Sequence, residues 1–207
     1  MGTILGMARL AVLAGALALT GCVTTENRLS KDDAGGMKLT GINVSFAPDA
    51  YVEWEDGIRA YAKAKAIPDD QAGAAANTPE GKAYLNGLLA SQIKSRTERK
   101  MVGALTGSRP VRLDIVVRSF TISSPLKRVL VGGGHVMKAD ASLVDARTGA
   151  VIVAHPDLGG GVPTGNGIVG TAVSAAIESN YKESIAEKIM DAYAENYRYL
   201  LLPKPPE

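Results

Sequence analysis

The chain of 207 residues contains one cysteine, Cys22, so no intramolecular disulfide can staple it and no thiol pair can hold a metal or run redox chemistry. Two Phe and one Trp are too few to build an aromatic core, which leaves Ala, Val, Leu, Ile and the seven Tyr to fill it. The 23 basic and 21 acidic groups nearly cancel, so bulk charge does not call for nucleic acid. Neither Gly-x-Ser-x-Gly nor His-Glu-x-x-His occurs, and nucleophilic or zinc-dependent hydrolysis therefore has no motif behind it. The apolar run Leu10 to Leu19 is about ten residues, half of the roughly 20 that a bilayer core requires.

That run is short for a span but right for an export signal. Arg9 precedes it as a basic n-region, and small residues follow it. It ends in Leu19, Thr20, Gly21 and Cys22, which resembles the lipobox of bacterial lipoproteins. The resemblance implies cleavage after Gly21 and acylation of Cys22, with the membrane as the partner of the lipid. In enteric lipoproteins an Asp after the Cys retains the protein in the inner membrane. Val23 stands there, which implies the outer membrane. The expected organisation is a signal peptide over 1–21, a lipidated tether over 22–37, one α+β domain over 38–202 and a tail over 203–207. Hydrophobic content of 46% and charged content of 21% suit a globular domain of ordinary size.

Alternation of apolar and polar residues predicts a strand from Lys38 to Phe46, ended by Pro48. Tyr51, Val52 and Trp54 fit a short strand or ledge, Ile58 to Ala66 a short helix, and 69–77 an exposed loop. Thr78-Pro79-Glu80 supplies an N-cap, a first-position proline and an acid for a helix reaching about Met101, with Leu85, Leu88, Leu89 and Ile93 as its buried stripe. Further strands are expected over 111–122, 137–143 and 150–154. Asp145 to Gly149 joins the last two as a hairpin turn, Asp145 capping it and Gly149 accepting positive φ. Residues 168–201 carry an apolar residue every four positions and predict one long helix stopped by Pro203. The fold class is α+β, with a mostly antiparallel sheet of four or five strands and the two main helices on one face.

Four groups could carry function. Gly165-Asn166-Gly167-Ile168-Val169-Gly170 spells the dinucleotide fingerprint between a strand and a helix, but no strand follows that helix to present an acid to a ribose. A helix-opening loop is the plainer reading. The uncharged stretch Leu158 to Ile177 also permits close helix or membrane contact through its glycines and alanines. His135 and His155 flank the hairpin, and with His155 facing Ala139 the rings stand about 13 Å apart, too far to share a zinc ion. They are expected on the surface or in loops, and no metal or cofactor site is expected. Arg96, Arg99 and Lys100 crowd the end of the first long helix, either as cations stabilised by its dipole or as contacts for anionic headgroups. Trp54 and Tyr51 either fill the core or line a small groove for a ligand or partner.

On the lipobox, the strand over 111–122, the hairpin and the Gly-rich opening of a terminal helix, the chain resembles uncharacterised lipoproteins of Gram-negative bacteria. In element order it is also similar to the amino-terminal domain of the TolB translocation protein and to the curli-secretion lipoprotein. The resemblance implies a non-enzymatic accessory of envelope assembly or transport that binds a protein of the envelope. A small-ligand or lipid-binding module is the alternative.

Overall fold

The computed structural model describes residues 28–203, so the expected signal peptide and the expected lipidation site, Leu19, Thr20, Gly21 and Cys22, lie outside the described residues. Four strands form one sheet in the order β1-β2-β3-β4: β1 Met37–Glu53, β2 Arg109–Ile122, β3 His135–Asp145 and β4 Val151–Val162. β2 to β3 and β3 to β4 are antiparallel, whereas β1 runs parallel to β2. A parallel neighbour needs a crossover, and the chain between β1 and β2 supplies it as α2 Glu55–Lys65, α3 Asp69–Ala76 and α4 Pro79–Met101. A short α1, Lys31–Gly36, precedes the sheet, α5 Pro125–Leu130 separates β2 from β3, and α6 Gly167–Glu178 and α7 Ile185–Leu201 follow β4. The fold is α+β with a mixed sheet.

The core forms because alternate residues of β2 and β3 point to one side. Val111, Leu113, Ile115, Val117 and Phe120 of β2 and Met137, Ala139, Ala141 and Leu143 of β3 are buried there, under Leu89 and Ile93 of α4 and Ile189, Tyr193 and Tyr197 of α7. α4 and α7 are the two main helices, both packed on this face. The spacing from Val117 to Phe120 breaks the period of two, and the β2–β3 register shifts between Val117 and Ser119, as a bulge requires. α7 lies so close to β4 that a Cβ on Gly160 would sit 2.3 Å from the backbone nitrogen of Tyr193. Only glycine fits there.

The hairpin takes the expected form. Asp145 accepts the backbone N–H groups of Arg147 and Thr148 at 3.0 and 3.1 Å, and Gly149 has φ 75°. These bonds, led by that of Thr148 and reinforced by Arg109, hold the Asp145 carboxyl down at about 2.

Several expectations change in three dimensions. Residues 28–36, assigned to the tether, pack on the domain: Leu29 and Ala34 are buried, Ser30 caps α1, and the Leu29 N–H donates to the Leu201 carbonyl at 2.8 Å. Leu29 and Ala34 join the main hydrophobic core, which also holds Leu201 of α7. β1 does not end at Pro48, since pairing skips 47–50 and resumes from Tyr51 against Ser119. Proline is tolerated because β1 is an edge strand and Pro48 lies in the irregularity. β4 likewise continues past Ala154 to Val162, its period reset at Pro156 and Asp157, where φ is 50°. The expected loop over 69–77 is α3, opened by Asp69 and Asp70 and buried through Ala72 and Ala76 against α4.

The long helix predicted over 168–201 is two helices. Ser179 and Asn180 bond the Ala176 carbonyl through their side chains and end α6. Ser184 then opens α7 with a capping box, accepting from the Glu187 N–H while Glu187 accepts from the Ser184 N–H.

These elements give the domain two poles. The N-terminal pole gathers residues 28–36, the start of β2, the hairpin and the end of α7. The opposite pole gathers the end of β2, α5, the start of β3, α6 and the start of α7.

Candidate functional site

At the N-terminal end of α7 lies a cleft of about 560 Å³ whose walls include Trp54, Asp56, Ser91, Gln92, Arg96, Arg99 and Glu187. The structure thus brings Trp54, Arg96 and Arg99 together. Trp54 is nevertheless largely a core residue. It is 5% exposed, meets Phe120 edge-on at 6.0 Å between ring centroids, and lies over Gly57, where a Cβ would fall 2.3 Å from the ring.

The basic cluster does not form a free cationic patch. Arg96 is buried and bonds Asp191 at 2.8 Å, Glu183 at 3.1 Å and Glu187, so it clamps α4 to α7. Lys100 pairs with Glu195 at 2.5 Å and lies 4.0 Å from Asp191. Arg99, exposed and bonded only weakly to Ser95 at 3.3 Å, is the cation of the three that remains available to the cleft. Sequence spacing placed the cations on one helix end, but the acids that answer them belong to α7 and, in Glu183, to the turn just before it, about 90 positions away. Tyr51 is not part of the cleft. It is exposed on the edge strand, where its hydroxyl donates to Glu53 at 3.0 Å, and that bond raises its pKa.

The Gly-x-Gly-x-x-Gly segment is closed on itself. A Cβ on Gly165 would lie 2.2 Å from the Gly170 carbonyl oxygen, and the Gly165 N–H donates to Ser174 Oγ at 2.5 Å. Gly167 takes φ 71°, and Asn166 turns its amide oxygen away from the helix to accept the Gly133 N–H at 3.1 Å. The glycines serve a tight return of the loop onto the first turn of α6, and a turn follows α6 where a nucleotide fold would have a strand. The same closure removes Gly165 from any helix face, so the glycine-and-alanine contact reading survives only for α6 itself.

Both histidines are buried, not on the surface as expected. His155 pairs with Ala141, not Ala139, because the turn closes on Asp145 and Ala150 and a register shift between Leu143 and Val144 adds a further residue, so six positions of β3, about 20 Å, separate it from His135. It packs edge-on against Tyr197 at 5.7 Å. His135 lies 3.3 Å from Glu178, and burial, opposed by that carboxylate, lowers its pKa. Arg128, 1% exposed, bonds both oxygens of Glu178 at 2.8 and 3.3 Å. The Ser123 hydroxyl borders the same cavity of about 140 Å³ but makes no hydrogen bond to the His135 ring, so the two are not arranged as nucleophile and base. Among the described residues no group of three or more His, Cys, Asp or Glu is placed to hold a metal ion.

This buried polar cluster explains a feature that periodicity missed. α5 and α6 are turned inside out. The residue α5 buries is Arg128, and those α6 buries are Thr171 and Ser174. Their aliphatic residues face outward: Leu126, Leu130, Val131, Ile168, Val169, Val173 and Ile177 are 52–78% exposed. A helix that packs for its own stability hides its apolar face. Here the Arg128–Glu178 pair joins the two helices from within, and their larger aliphatic side chains are left in solvent. The lack of any charge from Leu158 to Ile177 was the one visible signal.

No family model matches the chain, and no curated protein matches it. Among solved structures, the PelC dodecamer from Paraburkholderia phytofirmans aligns with a TM-score of 0.39 and 12% identity, over 87% of this chain and 96% of that one. A point variant of the same dodecamer gives a TM-score of 0.37 and 11% identity over 81% and 90%. A candidate lipoprotein from Caulobacter crescentus CB15 gives a TM-score of 0.33 and 12% identity over 54% of this chain and 78% of its own. Scores this low mean that some elements coincide in space, which says nothing about activity.

Proposed function

We propose that the chain is a lipoprotein held in the outer membrane through Cys22, acting without catalysis as an accessory of envelope assembly or transport by binding protein. The observation that carries the binding role is the inside-out pair α5 and α6, whose aliphatic residues gain nothing for the domain that displays them. The anchor rests on Leu19, Thr20, Gly21 and Cys22, on the export signal before them, and on Val23 after them. Among the described residues no helix is long and apolar enough to cross a membrane. The likeness in element order to the TolB amino-terminal domain and the curli-secretion lipoprotein belongs to this reading. A second reading, a small-ligand module, is favoured by the cleft beside Trp54, where Arg99, Ser91 and Gln92 offer polar contacts to an acidic or hydroxylated ligand.

Metabolic labelling with a fatty-acid analogue tests the anchor. The parent chain takes the label and Cys22→Ser does not, and label retained by the serine variant rules out acylation at Cys22. A photo-crosslinking residue at Ile168 in living cells tests the binding role. Adducts with protein sustain it, and adducts with lipid alone remove it.

A further inference from the structure

The two poles of the domain differ in charge. Residues 28–38, 102–110, 145–151 and 198–203, at the N-terminal pole, hold six basic and three acidic side chains. Residues 119–137 and 163–187, at the opposite pole, hold three of each. α4 and α7 both end at the N-terminal pole, and a helix C-terminus carries about half a negative charge, which brings the excess there to about two. Those carbonyl ends are answered from within. Arg28 bonds the carbonyls of Tyr199 and, at 3.1 Å, Leu202, and Arg198 bonds those of Lys100 at 2.5 Å and Val102 at 3.3 Å. Arg109 shares Asp145 with the hairpin turn, and Asp33 is held by the Ser30 hydroxyl at 2.6 Å. Lys31, Lys38 and Arg147 are left over against Asp32. All three cations are exposed, and among the described residues none has a side-chain hydrogen bond or ion pair.

Apolar side chains stand among these cations. Val102 just after α4, Val151 at the start of β4 and Tyr199 in the last turn of α7 are 62–74% exposed. Free cations mixed with exposed aliphatics and a tyrosine match a boundary that is anionic at its surface and apolar beneath, as a phospholipid bilayer is.

The chain also leaves the domain here, because the Leu29 N–H is bonded to the Leu201 carbonyl. Residues 22–27 reach at most about 20 Å, so an anchor at Cys22 keeps this pole close to the bilayer. Attraction between Lys or Arg and anionic headgroups acts over about a Debye length, roughly 8 Å, so the tether supplies proximity and the charge supplies orientation.

We infer that the N-terminal pole docks on anionic phospholipid headgroups, with Lys31, Lys38 and Arg147 facing them and Val102, Val151 and Tyr199 at the boundary. The inference rests on the anchoring reading.

The test uses the acylated chain purified from its host membrane and reconstituted in vesicles of phosphatidylcholine, alone or mixed with phosphatidylglycerol. A photo-crosslinking residue is placed at Val151 or at Val173, which stands at the opposite pole, about 40 Å along β2. In the mixed vesicles lipid adducts form at Val151 and are at least tenfold fewer at Val173. Each cation is worth roughly fivefold at an anionic surface, so Lys38→Glu with Arg147→Glu lowers the Val151 adducts at least fivefold, as does omission of phosphatidylglycerol. Equal Val151 adducts in the two kinds of vesicle, Val173 adducts that match or exceed them, or no effect of the double reversal overturns the inference. Mass spectrometry of the purified chain reads the anchor separately. If Cys22 is unmodified, anchoring fails. Coupling its thiol to a maleimide-bearing lipid then holds the chain at the same residue, and the same adducts decide docking.

Discussion

α6 and α7 are neighbours in sequence and opposites in design. α7 buries Ile189, Met190, Tyr193, Tyr197 and Leu201 and shows its acids to α4, whereas α6 buries Thr171 and Ser174 and shows Ile168, Val169, Val173 and Ile177 to solvent. Both satisfy a spacing of four, so periodicity alone reads them as one helix. The difference lies in what each has to face. α7 crosses an apolar sheet at a distance set by Gly160, and its aliphatic and aromatic residues are the only ones that fit. α6 reaches the buried polar cluster through Glu178, which binds Arg128 and faces His135, while its Ser174 hydroxyl accepts the Gly165 N–H. A buried helix face is apolar where its neighbour is apolar.

That contrast makes ranked predictions. The largest effect belongs to α7: Tyr193→Ala should lose about 4 kcal/mol, the usual range for truncating a large buried ring. Urea unfolding of the domain measures it, and a loss under about 1 kcal/mol would show that α7 does not carry the core.

Next comes the buried polar cluster. Arg128→Ala leaves the part-buried Glu178 with the His135 ring as its only close partner among those shown and should cost about 3 kcal/mol, whereas the joint change Arg128→Met with Glu178→Leu should recover most of that. A double-mutant cycle by thermal unfolding checks this. Equal losses in the single and the joint variant would mean that shape, not charge, holds α5 to α6.

A smaller effect is set by pH. The folded-state pKa of His135 is depressed below the ordinary 6.5, chiefly by burial, so the unfolded chain binds its proton first. The stability that neutral His135 contributes is complete above pH 6.5 and is lost as pH falls toward the folded-state value. His135→Gln should flatten stability between pH 6.5 and 5 relative to the parent, and unfolding midpoints across that interval decide it. An unchanged slope would show that His135 is not kept neutral by its site.

The smallest effect should come from α6. Val169→Ser with Val173→Ser should leave stability within about 0.5 kcal/mol, because both side chains are already in water in the single chain. Denaturation at low protein concentration measures this, and a loss above about 2 kcal/mol would mean that these valines pack on their own chain.

The strands were legible because β2, β3 and the hairpin express their burial as strict alternation with a turn of defined chemistry, Asp145 to Gly149. So were α4, through Thr78 and Pro79, and the helical content of 168–201. The break between α6 and α7 was legible in principle, since Ser184 and Glu187 stand at capping-box spacing, but the four-residue apolar rhythm ran across it. Trp54, Arg96 and Arg99 converge on one cleft as a candidate group, yet the carboxylates that neutralise Arg96 come from α7 and the turn before it, about 90 positions on.

What the sequence determined by itself is therefore local: which residues alternate and where turns and caps stand. Which face each helix turns inward was decided only by tertiary structure. The same Val or Ile is core on a helix laid over Leu113 and Leu143 and surface on one laid over Arg128, because burial free energy depends on the environment entered as well as on the side chain that enters it.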